Sequence, residues 1–114
     1  MSNRSRLFSN GVLNKGERLM SNNSRYKLEL LDDGNLVFYD NGKEKWSTRT
    51  DKKNGDKCVM QHDGNFVVLN GGRNPIWTTG TYGNKGSYLA IQDDGKLVIY
   101  KPSMIKNVLK VDPL

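Results

Sequence analysis

The chain has 114 residues, a length that predicts one domain, 1–114, with a modest hydrophobic core. Its 12 glycines, 3 prolines and 35% hydrophobic residues favour short strands joined by tight turns. A run of about 18 apolar residues is absent, which argues against a membrane-spanning helix and against membrane insertion. Acidic residues interrupt the basic cluster of segment 43–57, so the net charge of +6 does not indicate specific nucleic-acid binding.

The N-terminus and the single cysteine bear on the cellular compartment. Residues 1–6 lack the apolar stretch of a secretory signal. Cys58 has no second cysteine to pair with, and we interpret it as a small buried hydrophobic residue. Three interpretations stay open, namely a cytoplasmic protein, a protein secreted without a conventional signal peptide, and a protein whose leader has been removed.

The predicted elements are short strands throughout. Residues 7–20 predict two strands, with turns near Asn10-Gly11 and Lys15-Gly16. Since no segment has helical periodicity, the sequence predicts an all-β fold. Three similar units follow, at about 26–50, 57–80 and 87–108. Their predicted strands cover residues 26–30, 35–39 and 44–48, then 57–61, 65–69 and 75–79, and finally 87–92 and 96–101.

One nine-residue pattern recurs in the three units. Its aligned aspartates are Asp33, Asp63 and Asp94, which are 30 and 31 residues apart. A fixed period of this size is typical of repeat architectures. A single unit is too small to bury its own apolar face, so we expect three units packed around a shared axis.

The pattern gives each unit a polar strand face. Alternate residues of a strand face the same side, so Gln61, Asp63 and Asn65 share one face while Phe66 and Val68 face the core. Carboxylate and amide groups together match a ligand rich in vicinal hydroxyls, because each hydroxyl both donates and accepts hydrogen bonds. The pattern therefore predicts a row of polyol-binding groups.

Catalysis is not expected from these faces. Each unit has one aligned carboxylate, whereas glycoside hydrolysis generally uses a pair of acids. Asp93 and Asp94 are adjacent, so in a strand they would point to opposite faces. Three copies of the same half-site indicate multivalent binding by a protein that is not an enzyme.

Each of the first two units carries one tryptophan in its last predicted strand. Trp46 and Trp77 lie at equivalent positions, and we expect their rings to meet in a common core. In the third unit Ile105 or Val108 would take that place. The apolar tail, 101–114, is a candidate for strand exchange with a second subunit.

The recurring pattern Gln-x-Asp-x-Asn-x-Val-x-Tyr resembles the mannose-binding motif of the monocot or bulb-type lectins. The N-terminal segment from Leu7 to Leu19 and the segments 45–48 and 76–79 are similar to that family too, so the resemblance covers about residues 7–105. It implies a β-prism II fold of three antiparallel sheets with pseudo-threefold symmetry. It also implies binding of α-mannosides without a metal ion or cofactor, and a homodimer with exchanged C-terminal strands.

The resemblance assigns carbohydrate-binding roles residue by residue, and each unit departs from the motif once. Leu31 replaces glutamine in the first unit, Leu69 replaces tyrosine in the second, and Lys96 replaces asparagine in the third. We expect the second site to bind best, the first to rank next, and the third to be closed by pairing of Lys96 with Asp94. The matching residues are Asp33, Asn35, Val37 and Tyr39 in the first unit, Gln61, Asp63, Asn65 and Val67 in the second, and Gln92, Asp94, Val98 and Tyr100 in the third.

The resemblance also bears on the cysteine. In the family two cysteines usually bridge the first and second repeats. The resemblance places Cys58 at one of these positions and Gly34 at the other, so the bridge is lost. Its loss agrees with a reducing compartment or with a leaderless route.

Two functions stay open at this point. The first is a lectin that binds mannose and mannosylated glycans weakly at up to three sites and gains affinity through multivalency. The alternative is a β-prism scaffold with degenerate sugar sites that binds protein partners, with the basic segment 43–57 as the contact surface. Binding of mannose would distinguish the lectin from the protein-binding scaffold.

Overall fold

The computed structural model describes residues 4–102 and the backbone of residues 106–111. The described residues form three antiparallel sheets of four strands each. The first sheet has the order β3 (Arg18–Met20), β4 (Tyr26–Leu30), β5 (Leu36–Asp40) and β6 (Lys43–Ser47). The second has the order β2 (Val12–Asn14), β7 (Gly55–Met60), β8 (Phe66–Asn70) and β9 (Asn74–Thr78). The third has the order β1 (Arg6–Leu7), β10 (Tyr88–Ile91), β11 (Leu97–Lys101) and β12 (Lys106–Val111).

This architecture confirms the predicted all-β fold of three antiparallel sheets. The observed strands of the three units agree with the predicted ones to within two residues. One 3-10 helix, Asp51–Lys53, lies between the first and second sheets in sequence. In the described part of the chain, no helix has the length and apolarity needed to cross a membrane.

The N-terminal segment adds one short strand to each sheet. The prediction of two strands there was wrong, because strands of two or three residues are too short to show alternation. The predicted turns are confirmed, since Asn10 has φ 68° and Gly16 has φ 86°. One leucine of each strand pairs with an inward-facing residue, and these pairs are Leu7 with Leu89, Leu13 with Cys58, and Leu19 with Leu28.

The hydrophobic core lies between the three sheets and draws on all of them. The three N-terminal leucines are fully buried in it, so each short strand closes the core at one sheet. Replacing one of them by alanine would cost about 2–5 kcal/mol by removing buried methyl groups and leaving a cavity. The other core residues include Leu28, Leu36 and Phe38 of the first sheet, Met60, Phe66 and Val68 of the second, and Leu89, Leu97 and Ile99 of the third.

Cys58 belongs to this core. Its side chain is fully buried, and burial raises the pKa of its thiol to about 12. The thiol is therefore neutral at physiological pH and has no access to solvent. The interpretation of Cys58 as a small buried hydrophobic residue is confirmed.

The two tryptophans meet, as their equivalent positions predict. The ring centroids of Trp46 and Trp77 are 5.6 Å apart with an interplanar angle of 64°, and both rings pack against the core. Phe66 contacts Trp77 edge-on at 6.4 Å. In the third unit, Ile105 or Val108 was predicted to take the place of the tryptophan. Ile105 and the side chain of Val108 lie outside the described residues.

The first and second units touch through two glycines. A Cβ atom on Gly34 would lie 2.5 Å from the carbonyl oxygen of Gly55, and one on Gly55 would lie 2.5 Å from that of Gly34. The residue that faces Gly34 is thus Gly55, while Cys58 lies in the core. The pairing of positions 34 and 58 implied by the resemblance is therefore wrong.

We predict that Gly34→Ala destabilises the fold more than Gly42→Ala. Both glycines have a positive φ, 91° and 85°, so each alanine pays about 1–2 kcal/mol of backbone strain. A Cβ at Gly42 meets nothing within 4 Å, whereas one at Gly34 collides with backbone, which adds about 1–3 kcal/mol. Urea unfolding followed by tryptophan fluorescence measures the loss of unfolding free energy in each variant. Equal losses would contradict the close contact between Gly34 and Gly55.

Candidate functional site

The same turn holds the aligned aspartate in all three units. The Oδ1 atoms of Asp33 and Asp63 each accept a hydrogen bond of 2.9 Å from the backbone nitrogen two residues later. Asp94 accepts one of 3.1 Å from the backbone nitrogen of Lys96. The intervening glycines have φ values of 91°, 96° and 85°, a region that favours glycine. Local turn chemistry thus fixes each exposed carboxylate and leaves its Oδ2 without a partner among the described residues.

The motif asparagine connects its strand to the segment that leaves the sheet. Asn65 Oδ1 accepts hydrogen bonds from the backbone nitrogens of Gly80 at 3.0 Å and Thr81 at 3.2 Å. Asn35 Oδ1 accepts one of 3.3 Å from the backbone nitrogen of Thr50. These bonds use the acceptor end of each amide, so the two N–H donors of Nδ2 are left for a ligand.

Threonines that the motif does not include complete this connection. Thr81 Oγ1 donates to the carbonyl oxygen of Gly64 at 2.5 Å, and Thr50 Oγ1 donates to that of Gly34 at 2.6 Å. Each hydroxyl also lies within 2.8 Å of the threonine hydroxyl two residues earlier. Thr50 and Thr81 lie outside the nine-residue motif and were not predicted, although the repeated segments Trp-Ser-Thr-Arg-Thr and Trp-Thr-Thr-Gly-Thr contain them at equivalent positions.

Several polar side-chain atoms of the second site form no hydrogen bond with another described residue. Gln61 is half-buried, and its side chain makes no hydrogen bond to a described residue. Asp63 and Asn65 add a carboxylate oxygen and an amide nitrogen from the same turn, in which the backbone nitrogen of Gln61 donates to the carbonyl oxygen of Asn65 at 2.9 Å. Leu69 stands where the motif has tyrosine, and at 6% exposure it forms part of the floor.

An ion pair occupies the face of the first site. Lys27 Nζ lies 3.1 Å from Glu29 Oε1 and 4.6 Å from the centroid of the Tyr39 ring. Strand pairing places Lys27 opposite Tyr39 and Glu29 opposite Val37. Burial, and after it the charge of Glu29, raises the pKa of the Tyr39 hydroxyl. With Leu31 in place of glutamine, this site has lost an amide and gained a pair of charges.

The third site lines a pocket of about 440 Å³, within the range of small-molecule sites. Gln92 Nε2 donates a hydrogen bond to the hydroxyl of Tyr100 at its wall. Lys96 forms no ion pair with Asp94, so the expectation that this pair closes the pocket is wrong. Asp93 and Asp94 both line the pocket because they lie in a turn rather than a strand, which also corrects the expectation that they face opposite ways.

The openness of the third pocket follows from the strand beside the motif. Ala90 on β10 pairs with Arg6 on one side and Val98 on the other, and its methyl group leaves room above the sheet. The corresponding residue is Val59 in the second unit and Glu29 in the first. The largest of these side chains thus stands at the first site and the smallest at the third.

The motif valines lie beneath the sites. Val37, Val67 and Val98 have exposures of 0%, 1% and 1%, and they are separate from the core cluster between the sheets. The area that their methyl groups offer to a ligand is therefore small, and Val98 is not among the residues that line the third pocket. The polar residues around them carry the capacity for recognition.

The basic segment 43–57 presents several cations to solvent. Lys43, Lys45, Lys52 and Lys53 are exposed and form no ion pair with another described residue. In the described part of the chain, segment 43–57 included, no group of three or more His, Cys, Asp or Glu side chains could hold a metal ion.

Comparison with known proteins finds lectins. The chain is 36% identical over 101 residues to the B-type lectin plumieribetin of Scorpaena plumieri, a match that covers 85% of this chain and 87% of that protein. It is 37% identical over 93 residues to mannose-specific lectin 1 of Colocasia esculenta, which covers 80% of this chain but 32% of that protein. The chain therefore spans about a third of the length of the Colocasia protein. No protein-family model matches the chain.

Solved lectin structures share the fold. A monomeric monocot mannose-binding lectin from Gastrodia elata superposes with a TM-score of 0.83 at 33% identity, covering 93% of each chain. The mannose-specific agglutinin of snowdrop (Galanthus nivalis) bulbs, complexed with methyl-α-D-mannoside, has a TM-score of 0.74 at 36% identity. That match covers 84% of this chain and 88% of the snowdrop chain. The predicted β-prism II architecture is thereby confirmed.

We predict that Asn65→Ala costs more stability than Asn65→Asp. Alanine removes the acceptor of two backbone N–H groups, which costs about 1–3 kcal/mol, whereas aspartate keeps an acceptor oxygen at the same place. Chemical denaturation of both variants measures the difference. An Asn65→Asp variant as unstable as Asn65→Ala would contradict the anchoring role of Oδ1.

Proposed function

Because the chain belongs to the bulb-type lectin family, we propose that it binds α-mannose and mannosylated glycans, without a metal ion, through its second and third sites. The second site carries this proposal. Gln61, Asp63 and Asn65 supply an amide, a free carboxylate oxygen and two N–H donors on one surface. A sugar with vicinal hydroxyls needs both donors and acceptors, and this set provides them.

Binding at one site is expected to be weak. A hydrogen bond between neutral groups contributes about 0.5–1.5 kcal/mol net, and one to a charged group about 1.5–3 kcal/mol. A few such bonds on an open surface correspond to a dissociation constant on the order of millimolar. Useful affinity for a branched glycan would come from two sites, or two subunits, binding at once.

The sites differ in their fitness for a sugar. The second keeps three motif residues with free polar groups, and the third has an open pocket with Gln92, Asp94 and Tyr100. The first ranks last in our proposal, because Lys27 and Glu29 satisfy each other where a sugar would lie. This order differs from the one expected from the sequence, which placed the first site second.

We predict that Asp63→Asn weakens mannoside binding at the second site about tenfold or more. Asparagine keeps an oxygen for the turn bond to Asn65, but it loses the charge that strengthens a hydrogen bond to a sugar hydroxyl. Amide NMR titration with methyl α-mannoside, up to tens of millimolar, measures the change from shifts at residues 61–69. The matched control is Asp33→Asn in the first site, which should leave those shifts unaltered.

Unchanged binding by Asp63→Asn would remove the second site from the proposal. No amide shifts anywhere would contradict mannose binding and favour the alternative, a scaffold that binds protein partners through the basic segment 43–57. Charge reversal at Lys52 and Lys53 would then be expected to abolish capture of a partner at low salt.

We also propose a homodimer with exchanged C-terminal strands. In the structure β12 pairs with β11 of its own chain and completes the third sheet. A strand from a second copy can make the same hydrogen bonds, so exchange costs no backbone pairing. Two chains joined in this way would double the number of sites available to a branched glycan.

We predict that deletion of residues 101–114 gives a monomer or an unfolded chain. The deletion removes β12 and leaves β11 as an unpaired edge. Light scattering during gel filtration measures the mass of the full chain and of the deletion variant. A deletion variant that stays a folded dimer would exclude β12 as the interface.

A further inference from the structure

We propose that a row of aromatic rings extends the third site and binds a second sugar ring beside the first. The inference rests on the proposed function of that site. Phe8, Tyr88 and Tyr100 follow one another across the third sheet. The ring centroids of Phe8 and Tyr88 are 5.5 Å apart, and those of Tyr88 and Tyr100 are 5.6 Å apart with an interplanar angle of 29°.

This aromatic row is open to solvent and belongs to the third sheet. Phe8 is 61% exposed, and Tyr88 and Tyr100 are half-buried. A single exposed ring is common on protein surfaces, but contiguous exposed rings are typical of ligand or partner contacts. The positions that correspond to Tyr88 and Tyr100 hold Lys57 and Leu69 in the second sheet, and Lys27 and Tyr39 in the first.

The aromatic row is continuous with the pocket of the third site. Tyr88 and Tyr100 both line that pocket, and the Tyr100 hydroxyl accepts the hydrogen bond from Gln92. A sugar held by Gln92 and Asp94 therefore has the row at its side. A second ring linked to that sugar would extend over Tyr88 toward Phe8.

The chemistry of the row and its surroundings fits a sugar better than an apolar ligand. The face of an aromatic ring is partially negative, and it attracts the partially positive C–H groups on one face of a pyranose. Arg6 lines the same pocket, and its guanidinium forms no ion pair with a described residue. Its N–H donors are thus available to sugar hydroxyls, whereas an apolar ligand would leave Arg6 and Asp94 unpaired. The ligand class is a neutral oligosaccharide of two or more α-linked mannose rings.

The test compares methyl α-mannoside with α-linked methyl mannobiosides of each linkage, using the full chain. Affinity at the third site is measured from amide shifts of residues 92–100. We expect at least one mannobioside to bind about threefold to tenfold more tightly than the monosaccharide. Phe8→Ala should abolish this advantage and leave the affinity for the monosaccharide unchanged. The matched control is Tyr82→Ala, which removes an aromatic ring of 71% exposure outside the pocket and should keep the advantage.

The outcomes separate this inference from the proposed function. Equal affinities for the two sugars, or an advantage that persists in Phe8→Ala, would overturn the aromatic subsite while mannose binding stands. No response to either sugar would overturn both. If Phe8→Ala disturbs the amide spectrum of β1, Phe8→Leu takes its place, because leucine keeps apolar bulk but lacks the ring.

Discussion

The hydrogen bonds around Asn65 tie the ligand-facing surface to the framework of the fold. Its backbone nitrogen donates to Asp63 Oδ1, and its side-chain oxygen accepts from the backbone of Gly80 and Thr81. Neither motif residue can move without breaking the turn or the link to the segment after β9. The remaining carboxylate oxygen and amide nitrogen are therefore held in place before a ligand arrives, which lowers the entropic cost of binding. The same side chains thus serve both the stability of the fold and the recognition of a ligand.

The strand beside the motif distinguishes the three sites as much as the motif does. A glutamate, a valine and an alanine occupy equivalent places at Glu29, Val59 and Ala90. Glu29 forms an ion pair at the first site, and the small Ala90 lines the open pocket of the third. Each change involves one outward-facing side chain and leaves the core untouched. Binding can therefore diverge between repeats at little cost to stability.

The features predicted correctly are those fixed by local interactions. Alternation within β8 and the Asp-Gly turns depend on neighbours in sequence, so strand faces and turn positions follow from the residues themselves. The pocket depends on Arg6 and Ala90, which come from opposite ends of the chain and pair only in the folded protein. The Lys27–Glu29 pair over Tyr39 likewise requires the register of two strands. No motif contains that information, which is why the third site was expected to be closed and the first to be available.

The N-terminal segment has a further consequence for folding. Its three strands are synthesised first, yet each pairs with a hairpin unit that follows, and β1 must wait for β10 near the end of the chain. Such non-local pairing gives a high contact order, for which folding times of about milliseconds to seconds are typical. Leu7 of β1 is buried in the core, so opening of this strand would expose it, and β1 stays paired once the core has formed. Arg6 and Phe8 therefore reach the third site only after Gln92 and Tyr100 are in place, and the pocket is the last part of the binding surface to be completed.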